Sequence, residues 1–155
     1  MTEIKEIRSA KIIAALRKNA RSKLKDLAHT TGEDIDELNK FIRRETGKTI
    51  NRFTSLVNFS DLGFSIRLML VLSVSAKQKE AIKRYLKSHQ NTNGIFLINN
   101  GYDFFLDMFF RDVKEAHIFC EELSSRYLIY EKKEYFILQT VTEQSFMANP
   151  NLLPC

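Results

Sequence analysis

The sequence of 155 residues has no tryptophan, two cysteines, two prolines and five glycines. Two cysteines are too few for a disulfide scaffold, and Cys120 and Cys155 stand in no CxxC or Cys/His spacing that could hold a metal. With no proline before Pro150 and so little glycine, collagen-like, Pro-rich and low-complexity chains are excluded. No apolar run reaches the roughly 18 residues of a membrane-spanning helix, and the opening MTEIKEIRSAKII spaces its charges where a signal peptide would be continuously apolar. The expectation is a cytoplasmic protein without membrane attachment. What is present is a hydrophobic fraction of 44%, enough for an ordinary core.

The net charge of +5 is unevenly placed. Residues 1–50 carry 12 Lys/Arg against 8 Asp/Glu, whereas residues 51–155 carry 12 against 11. Such asymmetry points to an anionic partner for the N-terminal part and a different task for the remainder, although a Lys-rich helical domain also gains solubility from the same charges.

Three helical patterns fill the basic part. Ile4, Ile7, Ile12, Ile13 and Leu16 form an apolar stripe that ends at Lys18-Asn19; Ser22 to Thr30 places Leu24, Leu27 and Ala28 on one side behind Ser22 as N-cap; Gly32 breaks that helix. The third runs from about Asp34 to Glu45, burying Ile35, Leu38, Phe41 and Ile42 and leaving Asn39, Lys40, Arg43 and Arg44 outward. Two short helices about a Gly-containing turn, packed on a preceding helix, outline a helix-turn-helix. From Thr49 the chain becomes strand-like without a clean apolar face, then turns at Asn58 to Gly63.

Ser65 to Val74 alternates strictly, with Ile66, Leu68, Leu70, Leu72 and Val74 on one face. Ser75 and Gln78 read as a capping box for a helix holding Ala81, Ile82, Tyr85 and Leu86, and Asp112 and Glu115 as a second one for a helix burying Val113, Ala116, Phe119, Cys120 and Leu123. Between them, Ile95 to Asn99 and Asp103 to Arg111 form a hairpin turned at Gly101, and a last strand runs through Tyr127 to Val141. The order βαββαβ is the ferredoxin-like arrangement, in which both helices lie on one face of an antiparallel sheet. The other face, with Met69, Phe105 and Phe109, then needs a second subunit, because monomers seldom expose large apolar patches. A homodimer is expected.

Three segments carry a family resemblance. KIIAALRKNARSKLKDLAHTTG, RFTSLVNFSDLGF and NNGYDFFLDMFF, in that order, are similar to the DNA-binding opening, the connecting segment and the effector-domain hairpin of the Lrp/AsnC (leucine-responsive, feast/famine) transcription regulators. The likeness runs from about Ile7 to about Gln144. It implies an α+β chain: an N-terminal winged helix-turn-helix followed by a ferredoxin-like βαββαβ effector and oligomerisation domain, with residues 1–50 as the DNA-binding part, 51–64 as an extended linker, 65–144 as the effector and dimerisation domain and 145–155 as a tail. It also implies assembly of dimers into tetramers or octamers. The departures lie at functional positions. Residues 33–45 hold five acids against three bases, Phe41 stands where Arg is common, Glu45 replaces an apolar residue, and Lys132-Lys133-Glu134 replaces a Thr-x-Thr pair.

Lys40, Arg43, Arg44, Lys48 and Arg52 cluster around the end of the third helix, and Lys23 precedes the second; these are the expected phosphate contacts, with Asn39 as the base reader through its amide. Cations at a helix C-terminus are also favoured by its dipole alone. Asn99, Asn100, Gly101, Tyr102 and Asp103 read as a hairpin turn, and by resemblance as one wall of an amino-acid effector seat that Lys132 and Glu134 complete. His29, His89 and His117 are scattered and assemble no catalytic grouping, and no phosphate-cradling loop, metal set or cofactor site is present, so no enzyme activity is expected. Two functions remain: a regulator that binds double-stranded DNA and whose oligomeric effector domain senses an amino acid or similar small molecule, and an oligomeric sensor or interaction protein whose degenerate helix-turn-helix does not bind DNA. The acidic start of the third helix separates them, since carboxylates stabilise a helix N-terminus yet repel phosphates.

Overall fold

The computed structural model describes residues 2–143, 145 and 146, with side chains from Arg8 onward. The tail from residue 147 with Cys155, and the side chains of Ile4 and Ile7, lie outside the described residues. The chain forms two compact units that meet in sequence between Leu56 and Val57, the second ending at Thr140.

In the first unit, α1 (Thr2–Lys18), α2 (Leu24–Thr31) and α3 (Ile35–Glu45) bury Ile12, Leu16, Leu27, Leu38 and Phe41 in one cluster. Gly32 ends α2 in the left-handed conformation, with its N–H on the Ala28 carbonyl, and Asp34 restarts the chain by accepting from the N–H groups of Asp36 and Glu37. Ser22 is not the N-cap of α2. Its N–H closes a turn on the Asn19 carbonyl, which leaves Lys23 as the capping residue without a side-chain hydrogen bond. Ile35 is 40% exposed instead of buried, because it stands at the first position of α3, ahead of the turn that carries Leu38. Beyond α3 the wing is reduced to one bridge between Thr46 and Ile50, and residues 51–57 run without a strand partner, so the strand-like pattern there forms no ladder among the described residues. Asp34→Ala is expected to destabilise this unit by about 1 kcal/mol, measured by urea unfolding, since it orphans two N–H donors.

The second unit holds β1 (Ile66–Val74), α4 (Lys79–Ser88), β2 (Thr92–Leu97), β3 (Phe104–Phe110), α5 (Val113–Arg126) and β4 (Ile129–Phe136). All pairings are antiparallel and the strand order is β2-β3-β1-β4, the ferredoxin-like arrangement. Alternation along β1 sends Leu68, Leu70, Leu72 and Val74 into the core with Phe104, Leu106, Met108 and Phe110 of β3; Ile82 and Leu86 of α4 and Ala116, Phe119, Cys120 and Leu123 of α5 close it. Burial of the Cys120 thiol pushes its pKa up to about 12.

Three details depart from the sequence pattern. Ser75 and Gln78 form no capping box. The Ser75 N–H donates to the Leu128 carbonyl and the Leu128 N–H to Gln78 Oε1 (2.7 Å), so this turn anchors the start of β4, and α4 begins at Lys79 with no side-chain cap. Val113 is 55% exposed, at the first position of α5, for the reason given for Ile35. The last strand ends at Phe136, because β1 offers little strand beyond that register; Ile137 makes one further bond to the Arg67 carbonyl, and Leu138 is exposed. The box at α5 does form at Asp112, which accepts from the Glu115 N–H, although Glu115 reaches back to the N–H of Arg111. Phe59 and Phe64, within the expected linker, belong to the second unit and pack inside it, Phe59 against Phe109 with ring centroids 4.4 Å apart and Phe64 beneath Arg111.

Candidate nucleic-acid interface and effector seat

On α3, Asn39, Lys40 and Arg43 share the face opposite Leu38 and Phe41; Lys40 and Arg43 are exposed and Asn39 half-buried. Lys40 Nζ lies 3.3 Å from Glu37 Oε1. Arg44 differs from Arg43 in being engaged: its Nε is 2.8 Å from Glu45 Oε1 and its guanidinium lies 5.4 Å above the Phe41 ring. Arg44, then Thr49, hold the Glu45 carboxyl below its usual range, so Glu45 at a position expected to be apolar works as a ligand for its neighbours. Lys48, Arg52 and Lys23 are exposed and without ion-pair partners among the described residues. The structure therefore gathers Asn39, Lys40 and Arg43 on one helix face and leaves Lys48, Arg52 and Lys23 as exposed cations on flanking backbone of the same unit.

The acidic start of α3 is partly absorbed. Arg8 of α1 pairs with Glu33 at 2.6 Å and approaches Glu37 at 3.9 Å, and the Asp34 carboxylate is the helix cap. Sequence reasoning missed Arg8, since a pair spanning two helices leaves no local signal.

The effector set divides differently. Asn100 and Gly101 both take positive φ, as a tight hairpin turn demands. Asp103 is occupied from within the chain: its Oδ2 accepts from the Val74 N–H and its Oδ1 lies 2.8 Å from Lys79 Nζ, which together hold its carboxyl below the ordinary range. Tyr102 donates to Glu131 Oε1 at 2.7 Å, and Lys133 sits 4.8 Å from the Tyr102 ring and 3.2 Å from Glu131. Asn99 is exposed beside them.

Lys132 and Glu134 do not join this group. They pair with each other at 2.8 Å, opposite Leu72 and Leu70 in the register and therefore on the helix-bearing face, where both act electrostatically on Cys120. The polar groups on the other face, at the end of the sheet where the hairpin lies, are Glu131 and Lys133. A one-residue offset along a strand exchanges its faces, and only the β1–β4 register reveals which set meets the hairpin. Lys79, Glu131 and Lys133 are the functional candidates that sequence reasoning missed.

The helix-free face also holds a polar cluster among its apolar side chains. Arg67 forms a bidentate pair with Asp107, Nε to Oδ1 and Nη2 to Oδ2 both at 2.9 Å, beneath which Phe109 lies 5.2 Å from the guanidinium. Asn93 donates to the same carboxylate at 2.6 Å, and Asp107 is only 6% exposed.

No family model matches the chain. It is similar to the HTH-type transcriptional regulator FL11 of Pyrococcus abyssi, 23% identical over 117 residues that cover 74% of this chain and 77% of that protein. Among solved structures, a Neisseria meningitidis transcriptional regulator in complex with L-Met superposes with a TM-score of 0.80 at 15% identity, covering 88% of this chain and 91% of the other. LrpC of B. subtilis gives 0.79 at 18% identity, covering 87% and 95%, and AsnC of E. coli gives 0.76 at 18%, covering 88% and 93%. The fold is that of the Lrp/AsnC regulators, and the resemblance carried by the three sequence segments is borne out.

Proposed function

We propose that this protein is a transcription regulator that binds double-stranded DNA as a homodimer or a larger assembly and responds to an amino acid or similar zwitterion. The observation that carries this reading is the outer face of α3, where Asn39, Lys40 and Arg43 lie together with exposed Lys48 and Arg52 beyond, while Arg8, Arg44 and the helix cap engage four of the five nearby acids. Residues 1–50 are the DNA-binding part, 51–64 the connection, 65–144 the effector and dimerisation part and 145–155 a tail. In each subunit α3 enters a major groove, so a dimer reads half-sites about 34–36 Å apart or at a multiple of that spacing. The alternative of a sensor without DNA affinity rests chiefly on those acids. Their engagement within the first unit weakens it. Catalysis has no place in this reading, and neither does a cofactor; the protein acts in the cytoplasm.

Dimerisation through the helix-free face is supported by half-buried Met69, Val71 and Phe105, together with exposed Phe96 and Tyr135, on a sheet whose opposite face is already covered by α4 and α5. The experiment that tests the function is retention on heparin followed by selection from random duplexes. A selected motif with repeated half-sites supports it, and no retention above that of a neutral protein overturns it.

For the effector, the hairpin end of the sheet offers Asp103, Tyr102, Glu131 and Lys133. An ammonium group would replace Lys79 on Asp103, and a carboxylate would meet Lys79 or Lys133. Screening the twenty amino acids by light scattering and thermal shift is expected to show at least one that changes the oligomer distribution of the wild type and fails to do so in Asp103→Ala. A monomer unchanged by all twenty would remove both the dimer and the seat from this account.

A further inference from the structure

Of the five acids in and just before α3, four are engaged: Glu33 and Glu37 with Arg8, Asp34 as the cap, and Glu45 with Arg44 and Thr49. Asp36 differs. Its N–H bonds to Asp34, but its carboxylate is exposed and has no hydrogen-bond or ion-pair partner among the described residues. It stands three, four and seven residues before Asn39, Lys40 and Arg43, which puts it at the head of the same stripe, opposite the buried Leu38 and Phe41. The N-terminal residues of a recognition helix are the ones that reach base edges. A carboxylate carried there is repelled by phosphates and by the N7 and O6 acceptors of purines. Cytosine alone presents in the major groove an amine donor with no acceptor on the same base; adenine sets N7 beside its amine.

We infer that Asp36 is a base-reading residue of α3 that accepts a hydrogen bond from the exocyclic amine of a cytosine. This rests on the DNA-binding reading and adds to it a chemical class of operator, one with a C·G pair at a fixed place in each half-site. Asp36 sets specificity, while Lys40 and Arg43 supply attraction to the backbone.

The test is selection from random duplexes with the full-length wild type, Asp36→Ala and Asp36→Asn. The wild type is expected to prefer cytosine at one position of each half-site by roughly ten-fold. Asp36→Ala loses the preference at that position only and binds unrelated duplexes more tightly, because a negative charge has left the groove. Asp36→Asn moves the preference from cytosine to adenine, since an amide supplies both the acceptor for the amine and the donor for N7. If the wild type selects a motif and both variants select the same one, Asp36 is only a charge that stabilises the first turn, and the inference falls while the DNA-binding reading stands. If the wild type selects nothing, both fall. Circular dichroism confirms that each variant keeps its helices, and the exposed side chain, free of packing, makes this the expected result.

Discussion

Asp107→Ala is expected to destabilise the second unit by about 3 kcal/mol, the low end of what breaking a buried ion pair costs. The carboxylate accepts both arms of the Arg67 fork and the Asn93 amide, so its removal strips three charge-assisted hydrogen bonds from a site that is nearly closed to water. The magnitude stays low because Arg67 retains some exposure to solvent and its stacking on Phe109. Replacing both partners, as in Arg67→Met with Asp107→Leu, should recover most of the loss, since an apolar pair has no desolvation to offset. Urea unfolding at a fixed protomer concentration reads both variants, the concentration being held fixed because the proposed dimer would make stability depend on it. A loss below about 1 kcal/mol in Asp107→Ala would show that the cluster is relaxed in solution.

The second large effect is expected on DNA. Arg43→Ala combined with Lys48→Ala should weaken binding on the order of a hundred-fold at physiological salt and flatten the dependence of log K on log salt by about 0.9 for each phosphate no longer neutralised. The proposed dimer would give up the cations of both subunits, which is why the expected product is large. Arg44→Ala should do less to the salt slope, because its guanidinium already neutralises Glu45 and covers Phe41. Its main effect is on the stability of α3. Fluorescence anisotropy over a salt series separates these outcomes; equal slopes for the wild type and the double variant would move the docking surface away from the end of α3.

Much of the fold can be read from single-residue periodicity. The alternation through Leu68, Leu70 and Leu72, the apolar stripe of α5 and the Asn-Gly turn each encode their element locally, and the order of those elements leaves the ferredoxin-like sheet as the arrangement that buries them. Element starts are less legible. Ser22, Ser75, Ile35 and Val113 have suitable chemistry for a cap or a core position, but each is decided by a turn or a neighbouring element that the local pattern does not specify. The effector set shows the harder limit. A family pattern assigns Lys132 and Glu134 to the hairpin, whereas the pairing of Ser73 with Glu131 and Val71 with Lys133 puts the alternate residues on that side. The proposed recognition face is clearer, because a helix presents its outer residues without reference to a partner strand. Hidden from the sequence is which acids remain free, since Arg8 reaches them from another helix.

The thiol beneath α5 makes the second unit its own timekeeper. Cys120 is buried and resists ionisation, so a thiol-specific reagent can reach it as thiolate only after α5 has lifted from the sheet. In a chain where Cys155 is changed to Ser, the labelling rate at rising reagent concentration therefore reports the opening of the βαββαβ unit and nothing of the three-helix unit, whose residues 1–50 contain no cysteine. A ligand or a partner copy that engages only the second unit will slow this reaction in proportion to the opening it suppresses, whereas DNA held by the first unit alone will leave it unchanged. One silent side chain thus separates events in the two units of a chain that most assays observe together.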